Sequence, residues 1–148
     1  MLALLSTLGA CVPYPHSVTR NPAIEGRVLS AETGLAVANA KIELNIRSDE
    51  PWAYETVSDT GGRFVFAEHR DYRLFALLAD GPYCWTTLSV SAPGHHTRRC
   101  NWTSQYWCSS APIKLPRLML QPEYIVVSDE EAASDSWHCI ESAMEKAN

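Results

Sequence analysis

Long apolar runs are missing from this chain. Nowhere in its 148 residues do 18 apolar residues follow one another, so no segment is suited to cross a bilayer as an α-helix. Basic charge is scarce too. Twelve Lys and Arg stand against 17 Asp and Glu, a formal net charge of −5, which argues against the basic face of a nucleic-acid binder. There is no Gly-x-Ser-x-Gly nucleophile elbow and no Gly-rich phosphate loop. What the chain does have is 46% hydrophobic residues, too many for intrinsic disorder. Its length suits one domain with short appendages, since domains cluster at about 100–150 residues. It also carries nine prolines, five tryptophans and an odd five cysteines.

Residues 1–10, MLALLSTLGA, run from apolar to small and lead into Cys11. An apolar core followed by small residues is the pattern of a secretory signal. Leu8-Gly9-Ala10-Cys11 resembles the lipobox of bacterial lipoproteins. The resemblance implies that Cys11 is lipidated on sulfur and becomes the first residue of the mature chain. It also implies that acyl chains anchor the protein in a membrane, each buried methylene contributing about 0.8 kcal/mol. The segment departs from the pattern in having no Lys or Arg before a short apolar stretch; a start upstream of Met1 would supply both. A residue other than Asp at position 12, here Val12, implies by the same resemblance an outer-membrane lipoprotein facing the periplasm or the cell surface. Residues 11–22 hold Pro13, Pro15 and Pro22, which predicts an extended tether.

The body, 23–127, reads as strands. Residues 40–47, AKIELNIR, alternate without a fault, which turns Ala40, Ile42, Leu44 and Ile46 inward. Residues 24–29 alternate less cleanly and form the preceding strand, joined through Ala31–Gly34, where the glycine suits a positive φ. Further strands are expected at 52–58, at 63–67 with Phe64 and Phe66 inward, and at 72–78, 85–92 and 113–120. Pro116 marks the last of these as an edge or a bulge. Seven short strands separated by turns predict an all-β fold, a seven-stranded antiparallel β-sandwich.

Three motifs point to a family. Ile24-x-Gly26-Arg27-Val28, Thr33-Gly34-Leu35 and Ala40-Lys41-Ile42-x-Leu44 resemble the opening of the carboxypeptidase regulatory-like domain. Ser58-Asp59-Thr60-Gly61-Gly62-Arg63-Phe64-x-Phe66 resembles its central D-x-x-G-x-F-x-F turn. Val90-Ser91-Ala92-Pro93-Gly94 resembles its V-x-A-P-G-Y ending, with His95 in place of the aromatic. The resemblance covers residues 22–97 and implies a transthyretin-like sandwich, the non-catalytic companion domain of the carboxypeptidases. Hydroxyisourate hydrolases share that fold but end in Tyr-Arg-Gly-Ser, which this chain lacks.

Two segments depart from the pattern. Residues 96–110, HTRRCNWTSQYWCSS, read as an inserted aromatic loop between cysteines. Trp102, Tyr106 and Trp107 beside Arg98 and Arg99 are the candidate binding residues, because exposed Trp, Tyr and Arg dominate binding hot spots. The competing expectation is that the tryptophans cover the end of the sandwich. Asn101-Trp102-Thr103 is a glycosylation sequon without meaning in a bacterial lipoprotein. Residues 128–148 open on a capping box, Ser128-x-x-Glu131. There Ala133, Trp137, Ile140 and Met144 recur at helical spacing, which predicts a short C-terminal α-helix.

No cofactor and no metal is expected. His95 and His96 are adjacent and point apart on a strand, while Cys100, Cys108, His138 and Cys139 match no common zinc spacing. With Cys11 taken by lipid, four cysteines allow three connectivities. The expected pairs are Cys100–Cys108, closing the aromatic loop, and Cys84–Cys139, pinning the helix; each contributes roughly 2–4 kcal/mol. The expected function is a non-enzymatic, membrane-anchored envelope lipoprotein acting as a binding or structural module. Its partner would be an envelope protein or a glycan, with no nucleic acid. The alternatives are a periplasmic immunity or inhibitor protein against a toxin or hydrolase, and a carbohydrate-binding module that uses the aromatic loop.

Overall fold

The structure, a computed structural model, describes residues 13–48, 51–75, 84–104 and 111–128. The described residues are all-β, with nine strands in three sheets and no helix among them. In chain order the strands are β1 (Pro13–Asn21), β2 (Ile24–Ser30), β3 (Lys41–Arg47), β4 (Trp52–Val57), β5 (Arg63–Phe66), β6 (His69–Phe75), β7 (Cys84–Ser91), β8 (Arg98–Ser104) and β9 (Ile113–Leu120). β4, β3, β7 and β8 make a four-stranded sheet in that order, β5, β2 and β9 a three-stranded one, and β1 and β6 a two-stranded ribbon.

The alternation read from the sequence governs the core. Ala40, Ile42, Leu44 and Ile46 are buried, and so are Phe64 and Phe66. Together with Ile24, Val28, Leu88, Val90, Cys100, Leu118 and Leu120 they form one cluster fed by both larger sheets. Burying a Val, Leu, Ile or Phe side chain fully contributes about 1.5–3 kcal/mol, so this cluster is the main source of stability.

Three expectations about the strands need correction. The first is the count, since nine strands stand where seven were expected. One addition is β1, in the stretch read as a Pro-rich tether. It pairs antiparallel with β6 from Pro13↔Phe75 to Asn21↔His69. Its prolines sit at or near its ends, where a missing N–H costs little, and β-branched Val18 and Thr19 fill the middle. The other addition is β8. Arg98–Ser104 was read as part of a loop, but it extends the four-stranded sheet by pairing antiparallel with β7. The second correction concerns direction: β9 runs parallel to β2, so the fold is not purely antiparallel. The third is minor, as β6 begins at His69, earlier than expected. Pro116 stands as foreseen. β9 is an edge strand, and its register slips between Glu25↔Lys114 and Arg27↔Arg117, which places Pro116 in the bulge. The expected C-terminal helix falls on residues 129–148, outside the described residues.

The turn between β4 and β5 shows why its motif has the residues it has. Asp59 Oδ1 accepts from Gly61 N and Arg63 N, both at 2.8 Å. Gly62 N donates to Asp59 O at 2.9 Å, and Val28 N donates to Gly62 O at 2.8 Å. Gly62 has φ +74°, and a Cβ there would lie 2.3 Å from Val28 O, so only glycine fits. Gly26, paired with Phe64, is also a required absence of side chain: a Cβ would lie 2.6 Å from Phe64 Cζ. The ring covers the glycine, a cross-strand packing that fixes register. Buried Ser58 completes the corner, its Oγ accepting from Ala40 N at 2.9 Å and donating to Val37 O at 2.7 Å.

Candidate functional site

The residues singled out in 96–110 do not form one patch. On β8, Arg98, Cys100 and Trp102 share the inward face, while Arg99 points out. Trp102 stands opposite Thr86 and is half-buried against the core, so it covers the interior. Arg98 Nη1 donates to Met119 O at 3.0 Å. Arg98 and Arg99 border a cleft of about 60 Å³, far below the several hundred Å³ of a small-molecule site. Tyr106 and Trp107 lie outside the described residues.

His95 and His96 are engaged with backbone. His95 Nδ1 is 3.0 Å from Pro93 O and His96 Nε2 is 2.7 Å from Ile125 O. Among the described residues no group of three His, Cys, Asp or Glu side chains could hold a metal ion.

Cys84 and Cys100 are both buried, and neither is without a partner. The β7–β8 register sets Cys84 opposite Ser104 and Cys100 opposite Leu88. Four positions along a strand span about 13 Å, whereas a disulfide needs Cα atoms within about 7 Å. A Cys84–Cys100 bridge is therefore excluded. Cys11, Cys108 and Cys139 lie outside the described residues.

A different cluster has the composition of a site. It forms where β4 meets the β1–β6 ribbon. Alternation turns His16, Val18 and Arg20 of β1 to one side, with Val18 and Arg20 buried. From β6, Asp71 reaches across, and its Oδ2 accepts from Arg20 Nη2 at 2.6 Å. The Arg20 guanidinium lies 4.6 Å from the centre of the Trp52 ring, a cation–π contact strengthened by desolvation. The rings of Trp52 and Tyr54 each stand 5.9 Å from that of His69. Asn21 fastens the end of β1, its Nδ2 donating to Ala67 O at 2.9 Å and to Pro22 O at 3.1 Å.

The electrostatics follow from this geometry. The Arg20 guanidinium beside Asp71, helped by the Tyr72 N–H, holds the Asp71 carboxyl below its ordinary range. Burial pushes the Tyr54 phenol up, against an opposing pull from Arg20. Among the described residues, Trp52 Nε1, Tyr54 OH and Asn21 Oδ1 are buried here without a hydrogen-bond partner. Each such group costs about 1–3 kcal/mol, and natural proteins hold few of them. On the other, outer face of the four-stranded sheet a groove of about 320 Å³ lies between Asn45, Arg47, Ala53 and Thr87. The cluster can offer an aromatic surface with a fixed cation, an N–H, an O–H and an amide oxygen.

Sequence reasoning missed this junction because the prolines of residues 13–22 suggested a tether. Once β1 is a strand, the spacing of His16, Val18 and Arg20 puts a charge on a buried face. The run Ser17-Val18-Thr19 was the signal. In comparisons with known proteins, no family model and no curated protein matches this chain.

Proposed function

We propose that this chain is a non-enzymatic lipoprotein of the bacterial envelope, tethered through lipidated Cys11, whose transthyretin-like sandwich of the carboxypeptidase regulatory-like type binds a protein partner. The observation that carries the family reading is the β4–β5 turn. There Asp59, Gly62, Phe64 and Phe66 each do a task that the D-x-x-G-x-F-x-F pattern requires: capping, close approach and inward packing. One core shared by the two larger sheets supports the sandwich. The binding surface in this reading is the junction of β4 with the β1–β6 ribbon. In this reading the two-stranded ribbon is the sheet that opens most easily, because two strands alone are marginal in water. Its opening would present Trp52 Nε1 and Tyr54 OH to a partner that supplies acceptors.

Cys84 and Cys100 are half-cystines in this reading, bridged to cysteines outside the described residues. With a Cys84–Cys100 bridge excluded, the pairing Cys100–Cys108 and Cys84–Cys139 competes with one other arrangement of the same four cysteines. Labelled palmitate fed to cells that express the chain tests the anchor. Label is expected on the unmodified protein and absent after Cys11→Ser. Label that persists after Cys11→Ser overturns the tether.

A further inference from the structure

The outer face of the three-stranded sheet carries three arginines in one row. Arg63 on β5 is paired with Arg27 on β2, and Arg27 with Arg117 on β9. All three are exposed. Neighbouring strands lie about 4.8 Å apart, so three guanidinium-bearing side chains stand within about 10 Å of one another. Like charges directly opposite destabilise a sheet.

Elsewhere several surface cations, Lys41, Arg70 and Lys114 among them, are paired with carboxylates. In the adjacent row Lys114 Nζ sits 3.0 Å from Glu25 Oε1. On the four-stranded sheet Lys41 Nζ lies 2.6 Å from Glu43 and 3.2 Å from Glu55, and these carboxylates, Glu43 first, push its pKa up. Among the described residues no carboxylate forms an ion pair with Arg27, Arg63 or Arg117. Such a cluster is not a product of composition, since the chain's net charge is −5.

The row lines a groove of about 490 Å³ on this face, shared with Glu25, Val65 and Lys114, within the size range of ligand sites. Arg27 is braced, its Nε donating to Gly61 O at 2.8 Å, which fixes where its remaining N–H groups aim. A guanidinium fork matches phosphate oxygens in pairs. A carboxylate has two oxygens and one charge, too little to satisfy three forks, whereas a phosphate offers more of both.

We propose that the Arg63–Arg27–Arg117 row binds a phosphate group, with the rest of the ligand lying along the groove beside exposed Val65. That phosphate belongs either to a lipid headgroup or to a soluble phosphate ester. The site is separate from the β4–ribbon junction.

The test uses the full chain carrying Cys11→Ser, so that no acyl anchor can bring it to a membrane. One arm measures co-sedimentation with vesicles of phosphatidylglycerol and phosphatidylcholine against vesicles of phosphatidylcholine alone. The other measures glycerol phosphate binding by calorimetry, and the melting temperature in phosphate against chloride at equal ionic strength. Binding in the vesicle arm identifies the lipid source, and binding in the soluble arm the free ester. In whichever arm binds, Arg63→Gln with Arg117→Gln weakens binding about tenfold or more, while Lys41→Gln leaves it unchanged. The double variant keeps or raises the melting temperature, because repulsion across the row is relieved, and phosphate no longer shifts it. The proposal is overturned if neither probe binds and phosphate leaves the unmodified melting temperature unchanged. It is overturned equally if binding survives the double variant, or if Lys41→Gln weakens it as much.

Discussion

The corner between β4 and β5 and the junction between β4 and the β1–β6 ribbon share a strand and differ in how they treat polar atoms. At the corner, Ser58 and Asp59 engage the backbone at every turn, with two N–H groups on Asp59 Oδ1 alone. At the junction, an indole N–H, a phenol O–H and an amide oxygen are buried without partners. A corner whose groups are all paired specifies one backbone path. A junction whose polar atoms find no partner among the described side chains leaves them for a water or a bound partner to satisfy. The corner and the junction thus sit at opposite ends of β4.

Substitutions at the two sites sharpen that contrast. Phe64→Ala has the largest expected effect: it empties a core position and uncovers Gly26, and urea unfolding should show a loss of about 3–5 kcal/mol. Gly62→Ala follows, at about 2–4 kcal/mol by the same measurement, since the positive φ and the contact with Val28 O cannot both be relieved. Asp59→Ala removes the acceptor for two N–H groups and costs about 1–2 kcal/mol. Tyr54→Phe at the junction has the opposite sign. It deletes a buried hydroxyl that has no partner, so stability stays level or rises by up to about 1 kcal/mol. A clear loss there would mean the hydroxyl is satisfied and would erase the contrast.

The smallest effect is one of pH. Asp71 is depressed in the folded state by Arg20, so the unfolded chain binds more protons through the window between the two pKa values. The pair therefore adds stability above the ordinary aspartate pKa and loses it as pH falls through the folded value. Unfolding curves of the unmodified chain should fall more steeply on acidification below that ordinary value than those of Asp71→Asn. Equal slopes would show that the pair contributes nothing.

Much of the corner was legible in the sequence and little of the junction was. Ala40, Ile42, Leu44 and Ile46 alternate because one face of β3 meets the core, and a period of two survives in the letters alone. Asp59, Gly62 and Phe64 are readable because each answers a local constraint within a few residues. The junction joins residues far apart in the chain: Arg20 meets Asp71 across 51 positions, and no local rule announces such a pair. β1 was hidden by prolines whose cost disappears at strand ends. β8 was hidden by an aromatic, cysteine-flanked composition that suggests a loop, although Cys100 and Trp102 alternate inward as a strand requires. The parallel β2–β9 pair was invisible for the same reason as the junction, since strand direction across the sheet is a long-range property.

Native-state hydrogen exchange, read residue by residue, tests most directly the claim that the corner locks the fold while the ribbon opens. The amides of Val28, Gly62 and Arg63, bonded to Gly62 O and Asp59, should exchange only through global unfolding. The β1–β6 ladder should exchange through a local opening of markedly lower free energy. Equal protection in the ladder and the corner would contradict the account, because the junction would then be as closed as the core.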